Sequence, residues 1–248
     1  REDLEILGHP RVEVTVTSDA PVASLAAKLC SVFPDGTSAL VTRGFLNLCH
    51  RHSSLEPEPL IPGEPVAISL ELEATSWIFE PGNTIRLDVA GADWPNSWPS
   101  PTPCTLTVDP TSLRLVLPVM GDVTPEEPLS PARPAPEGHA DTSTTDPVTW
   151  RIERDVLGRE TRAVIDHGTV YDGEFGSRVE EHYDGAVGVS TVDPGIAHAT
   201  ARARYRIAWP DATVTAEARL KLTSDRDAFT IHVELDATET TADDERVD

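Results

Sequence analysis

Few residues in this sequence sit at spacings that suggest chemistry. Cys49-His50-Arg51-His52 is one such group. On a strand, His50 and His52 would share a face, and two imidazoles can begin a zinc site. No third ligand follows at a sensible spacing, so a solvated strand end accounts for the group and no metal site is expected. Arg202, Arg204 and Arg206 form a second set, at alternate positions. Three guanidinium groups on one strand face could grip a carboxylate or a phosphate. Pairing with acids of the neighbouring strand is the favoured reading, because a two-residue turn at Pro210-Asp211 puts Arg204 opposite Glu217. His167 beside Asp166 and His182 beside Glu181 carry no spacing logic.

Nucleophilic chemistry has no visible foothold. A serine hydrolase of the α/β type needs Gly-x-Ser-x-Gly at a strand-to-helix elbow. Gly36-Thr37-Ser38 and Gly176-Ser177-Arg178 come nearest, and both lack the second glycine. No catalytic residue and no cofactor are therefore expected in this chain. The most unusual segment runs from Ala92 to Pro101, where Trp94 and Trp98 stand among Pro95, Pro99 and Pro101. Rigid loops carrying indoles mark domain or partner interfaces, cap a core, or stack on a ligand such as a sugar.

The elements that must position these residues are constrained by composition. The chain has 248 residues with 20 Lys+Arg against 42 Asp+Glu, a net charge of −22. Such acidity argues against a general nucleic-acid binder and against docking on anionic lipid. No apolar run is long enough to span a bilayer as a helix. Three cysteines, Cys30, Cys49 and Cys104, imply no disulfide framework. The opening REDLEILGHP has no signal-peptide pattern and begins on Arg1 rather than Met. The chain thus reads as part of something longer, with a cytoplasmic location expected.

Hydrophobic periodicity is that of strands. Val12, Val14 and Val16 alternate with polar residues, as do Val66 to Leu72, Ile85 to Val89, Cys104 to Val108, and Leu113 to Leu117. This pattern puts one side on a core and the other in water. Pro34-Asp35-Gly36-Thr37 reads as a hairpin turn. Some eight short strands with turns between them predict a sandwich or barrel over residues 1–120. Seven prolines from Pro118 to Pro147 then punctuate a Glu-, Ser- and Thr-rich stretch, so 121–146 reads as a linker.

Residues 147–248 are also β. Apolar side chains hold odd positions through 197–209, even positions from Val214 to Leu222, and odd ones again from Phe229 to Leu235. Two parity switches across two tight turns predict a three-strand meander with one buried face. Runs at 148–156, 160–171 and 177–192 are expected to extend that sheet. The polar, acidic tail from Thr238 is expected to fray.

The motifs of the first half occur in a telling order. An opening DLEILG…VTVTSDAP spans Asp3–Pro21, and Ala26–Leu46 contains FPDGTS. Arg51-His52-Ser53 follows, then FEPGNTIRLDVAGADWP closes the run Pro62–Pro95. Residues 3–118 in this order closely resemble the C-terminal domain of X-Pro dipeptidyl-peptidases and their relatives. Those relatives include cocaine esterase-like and α-amino-acid ester hydrolases.

The resemblance implies a jelly-roll β-sandwich of the galactose-binding-like kind, followed here by a second antiparallel β-domain. It places the catalytic Ser, Asp and His on a preceding α/β-hydrolase domain, and none of the three maps onto this sequence. It further implies that the jelly roll packs on that domain and helps wall its cleft. Trp94, Trp98, Trp77 and Arg86, all within the matched run, are the interface or cleft candidates. Asn83 stands where the family motif carries His. The partner implied is the hydrolase domain of the same parent chain, with homo-oligomerisation left open. The alternative reading is a free-standing binding module, with carbohydrate as its ligand.

Overall fold

The computed structural model describes residues 3–121 and 143–241. The chain divides into two compact units, Arg1–Pro128 and Leu129–Asp248. Of the stretch read as a linker, residues 122–142 lie outside the described residues.

The first unit contains β1 (Leu4–Gly8), β2 (Arg11–Ser18), β3 (Ser24–Val32), β4 (Ser38–Asn47), β5 (Pro65–Glu71), β6 (Thr75–Phe79), β7 (Thr84–Ala90) and β8 (Leu106–Val116). They form antiparallel sheets in the orders β5-β2-β8 and β4-β3-β7, and β1 pairs with β6. The alternation read in the sequence decides which side chains meet. Val12, Val14 and Val16 from β2, Ile68 and Leu70 from β5, and Leu25, Ala27 and Leu29 from β3 join one buried apolar cluster. Each fully buried Leu or Val contributes roughly 1.5–3 kcal/mol relative to the exposed side chain. The unit is all-β as expected, and its paired sheets are compatible with a jelly roll.

The β3–β4 hairpin closes where expected. Gly36 adopts φ +86°, a conformation that side chains with a Cβ resist. The amide of Thr37 and its hydroxyl both donate to Asp35 Oδ1, at 2.9 and 2.7 Å.

Two local details differ from the alternation. The apolar sets at 104–108 and 113–117 belong largely to one strand, β8, rather than to a pair. The register on β2 slips between Glu13 and Thr15, and Ser112 repairs the gap. Its hydroxyl accepts from the Thr15 amide at 2.8 Å and donates to the Asp109 carbonyl at 2.8 Å. The second difference is at Leu48–His50, which form a 3-10 turn rather than a strand end. The Asn47 side chain caps it by accepting from the Cys49 amide at 3.0 Å.

The second unit contains β9 (Thr144–Thr145), β10 (Thr149–Asp155), β11 (Glu160–Asp172), β12 (Arg178–Ser190), β13 (Ala197–Ala208), β14 (Ala212–Ser224) and β15 (Phe229–Thr241). They form one antiparallel sheet in the order β10-β11-β12-β13-β14-β15, with β9 added on β11. The meander and its parity switches appear as predicted, with Arg204 opposite Glu217. Two expectations need correction. Residues Thr238–Thr241 do not fray: they continue β15 against β14, and the Thr215 and Thr238 hydroxyls bond at 2.6 Å. Residues 242–248 lie outside the described residues. The apolar face is also not buried as expected, since β15 is exposed along its whole length.

Among the described residues no helix is long and apolar enough to cross a membrane.

Candidate functional site

The tryptophan loop leaves the end of β7 and folds back on β3. On β3, Leu25, Ala27 and Leu29 join the core, so Ala26, Lys28 and Cys30 point the other way. Lys28 Nζ donates to Asp93 Oδ1 at 2.5 Å, tying the loop to that outer face. The Asp93 side chain is only 11% exposed and that of Lys28 33%. The same aspartate organises the turn that follows. Its carbonyl accepts from the amides of Asn96 and Ser97, at 2.8 and 3.1 Å. Its Oδ2 accepts from Asn96 Nδ2 at 3.0 Å. The Trp94–Pro95 peptide within this turn is cis.

Both indoles of the loop are half-buried. Trp94 Nε1 is shielded from solvent and finds no acceptor among the described residues, an arrangement that costs a protein roughly 1–3 kcal/mol. Cys104 flanks the loop on its C-terminal side, and partial burial pushes its thiol pKa up. The loop therefore presents two large rings from a backbone fixed at Asp93.

The other two sequence candidates lie elsewhere. Arg86 sits on β7 opposite Cys30, four residue pairs from the Ala26–Ala90 end where the loop begins. At ~3.3 Å per residue that is ~13 Å. Its guanidinium is exposed and engaged, with Nε 3.0 Å from Asp88 Oδ1 and Nη2 donating to Ser38 Oγ at 3.1 Å. Trp77 on β6 packs against the buried cluster, opposite Ile6 of β1. Trp94 and Trp98 thus share one loop, whereas Arg86 and Trp77 occupy separate strands.

Sequence reasoning missed two positioning features. The Lys28–Asp93 pair is one. The other is Arg51, whose side chain is 8% exposed. Its Nη1 donates to the Leu48 and Glu58 carbonyls at 3.1 and 2.5 Å, and its Nη2 lies 3.0 Å from Glu58 Oε1. The Arg-x-Ser motif is therefore a clamp on the 48–58 loop. Beside it, His50 Nδ1 donates to the Ser53 carbonyl at 3.0 Å, and His50 and His52 share no strand face.

In the second unit the arginine row is paired with acids of neighbouring strands, as favoured from the sequence. Arg204 and Glu217, though opposite, do not pair with each other: Glu217 is taken diagonally by Arg202. Arg202 holds Glu217 with two bonds, at 2.8 and 2.6 Å. Arg204 reaches Asp184 at 3.1 Å, and Arg206 reaches Glu180 at 3.0 Å. The Arg202 guanidinium holds the Glu217 carboxyl below its usual range. Asp166, His182 and Asp184 also converge, with His182 Nε2 3.4 Å from Asp166 and 3.9 Å from Asp184. Asp184 already serves Arg204, so this trio is part of a surface ion-pair network.

Comparison with known proteins gives this fold a family. The family model described as the X-Pro dipeptidyl-peptidase C-terminal non-catalytic domain matches residues 1–144. The chain belongs to this family. A Mycobacterium bovis protein named as a serine esterase is 34% identical over 107 residues, 36% of this chain and 17% of its own length. The cocaine esterase of a Rhodococcus species is 29% identical over 94 residues, 38% of this chain and 16% of its own. Among solved structures, an aminopeptidase from a marine-sediment Thaumarchaeota archaeon superposes with a TM-score of 0.46 at 18% identity. The match covers 49% of this chain and 24% of that one. The chain thus spans 17% and 16% of the two relatives it matches in sequence. Its matched region is the non-catalytic C-terminal domain of hydrolases of this kind.

Proposed function

We propose that the first unit packs on an α/β-hydrolase domain of the same parent protein and helps wall that domain's substrate cleft. The parent is a serine hydrolase acting on ester, acyl or X-Pro peptide bonds. Its serine attacks, its histidine takes the proton and its aspartate orients the histidine, all outside this chain. Residues 1–120, 121–146 and 147–248 act as docking domain, connector and added β-domain, with Thr144–Thr145 at the end of the connector already paired to β11.

The observation that carries this reading is the loop at Trp94 and Trp98. Two indoles stay half in water on a turn fixed by the Lys28–Asp93 pair. Large rings on a preorganised turn fit the anchors of an interface, because little side-chain or loop entropy remains to be lost on docking. Arg86 on β7 and Trp77 on β6 stand apart from this loop and are not contacts of the same patch.

The test compares two backgrounds. Trp94→Ala with Trp98→Ala should lower the melting temperature of this 248-residue chain only slightly. In the parent enzyme the same pair should release the C-terminal domain to limited proteolysis and reduce kcat/KM. If the double variant unfolds the isolated chain, the rings cap the core and the docking reading fails.

A further inference from the structure

The sheet of the second unit has two chemically distinct faces. Arg202, Arg204 and Arg206 stand opposite Asp184, His182 and Glu180 on β12. On β14 they stand opposite Arg219, Glu217 and Thr215. The intervening positions form the other face. There Ala199, Ala201 and Ala203 stand opposite Leu222, Leu220 and Ala218, which stand opposite Ile231, Val233 and Leu235 of β15. An apolar face of this kind needs a second layer to leave water. Instead Ile231, Val233 and Leu235 are 59%, 63% and 70% exposed, and Trp150 on β10 is 60% exposed. Such a contiguous patch exceeds the scattered apolar surface of ordinary monomers.

We propose that this face packs against the same face of a second copy of the chain, as an isologous dimer. Its relief is self-complementary. The small side chains of β13, with Gly185 of β12 beside them, form a furrow, and β15 forms a ridge two strands away. A two-fold axis parallel to the strands and over β14 lays each ridge in the other copy's furrow. Val233 then meets Ala201 of the second copy, and Leu220 meets Leu220. Self-matching of this sort is what a two-fold interface requires.

Charge permits the contact. The chain carries −22 overall, yet the ion-pair network lies on the opposite face. Two carboxylates lie on the apolar face of β12–β15: Glu181 on β12, occupied by the Tyr171 and Tyr183 hydroxyls, and Glu239 near the end of β15, beyond the apolar run Ile231–Leu235.

Area permits it too. Three strands at ~4.8 Å spacing and thirteen residues at ~3.3 Å give a footprint of ~600 Å² per copy. The ~1,200 Å² buried in total reaches the lower bound of stable, specific interfaces. The chain's own undescribed segments are poor substitutes. Residues 122–142 and 242–248 offer only Val123, Leu129 and Val247 as large aliphatic side chains.

Light scattering on a sizing column tests this with the 248-residue chain from ~5 to ~100 µM, a range that separates micromolar dimers from monomers. A mass of twice 26.8 kDa is expected. Ile231→Lys with Val233→Lys should yield a monomer, and Ala201→Trp, which fills the furrow, should do the same. These positions are exposed in the isolated fold, so far-UV circular dichroism should not change. Lys221→Glu on the charged face should leave the dimer intact. A chain monomeric throughout the range overturns the proposal and assigns the face to another occupant. A dimer that survives both apolar-face changes overturns it as well.

Discussion

Removing the Asp93 carboxylate should destabilise the first unit more than loss of a surface ion pair would. Exposed pairs contribute ~0.2–1 kcal/mol, whereas breaking a fully buried pair costs ~3–5 kcal/mol. Asp93 is 11% exposed, but Lys28 keeps 33% of its side chain in water, so the stranded ammonium can regain part of its hydration. Asp93→Ala should therefore cost ~2 kcal/mol, between the two limits. For a unit of this size that lowers the melting temperature by ~8 °C. Thermal unfolding followed by tryptophan fluorescence would measure it. A cycle with Lys28→Met and the double variant isolates the pair, and a coupling of ~1.5 kcal/mol is expected for a contact so sheltered. Acrylamide quenching should also rise in Asp93→Ala as the turn at Asn96 and Ser97 loosens. A coupling below ~0.5 kcal/mol would place the pair in the solvated class, and the loop's rigidity would need another source.

Two further outcomes test the sheets. A Cβ on Gly44 would sit 2.8 Å from the Glu71 carbonyl oxygen and 2.8 Å from Leu72 Cδ2, and the carbonyl cannot move aside. Gly44→Ala should thus cost ~1–3 kcal/mol by urea unfolding, and a cost under ~0.5 kcal/mol would mean that the chains part freely there. In the second unit, the folded pKa of Glu217 lies below its ordinary value of 4.5 because Arg202 favours the carboxylate. Its contribution is then complete above 4.5 and lost as pH falls through the lower folded value. Glu217→Gln should melt earlier than the parent at pH 7 and converge with it once the pH lies below the folded value, and equal melting at pH 7 would show that the pair contributes nothing.

Strand identity was legible because alternation reports a face directly. The register Arg204–Glu217 could be written from Pro210-Asp211 alone, since a tight turn fixes pairing. Alternation cannot report a bulge repaired by a hydroxyl, so Ser112 and the single long β8 were hidden. Nor does it distinguish a strand that stops with its last large apolar residue, Leu235, from one that persists through the mostly polar residues beyond. Thr238–Thr241 look like a tail in composition, yet threonine suits a strand and finds β14 as its partner.

The candidate site divides in the same way. Trp94 and Trp98 announce themselves because indoles among prolines are rare. What holds them does not, because Lys28 and Asp93 are 65 residues apart and become neighbours only when β3 and β7 pair. The Arg-x-Ser motif was visible as a motif, but its meaning as a clamp depends on carbonyls at Leu48 and Glu58 that only the folded loop brings together. The second sheet shows the limit from the other side. Parity told which side chains share the apolar face, and the register agrees at every pair from Ala199–Leu222 to Ala203–Ala218. Parity carries no information about what lies opposite that face. A period-2 pattern is a statement about one layer, and a sandwich needs two.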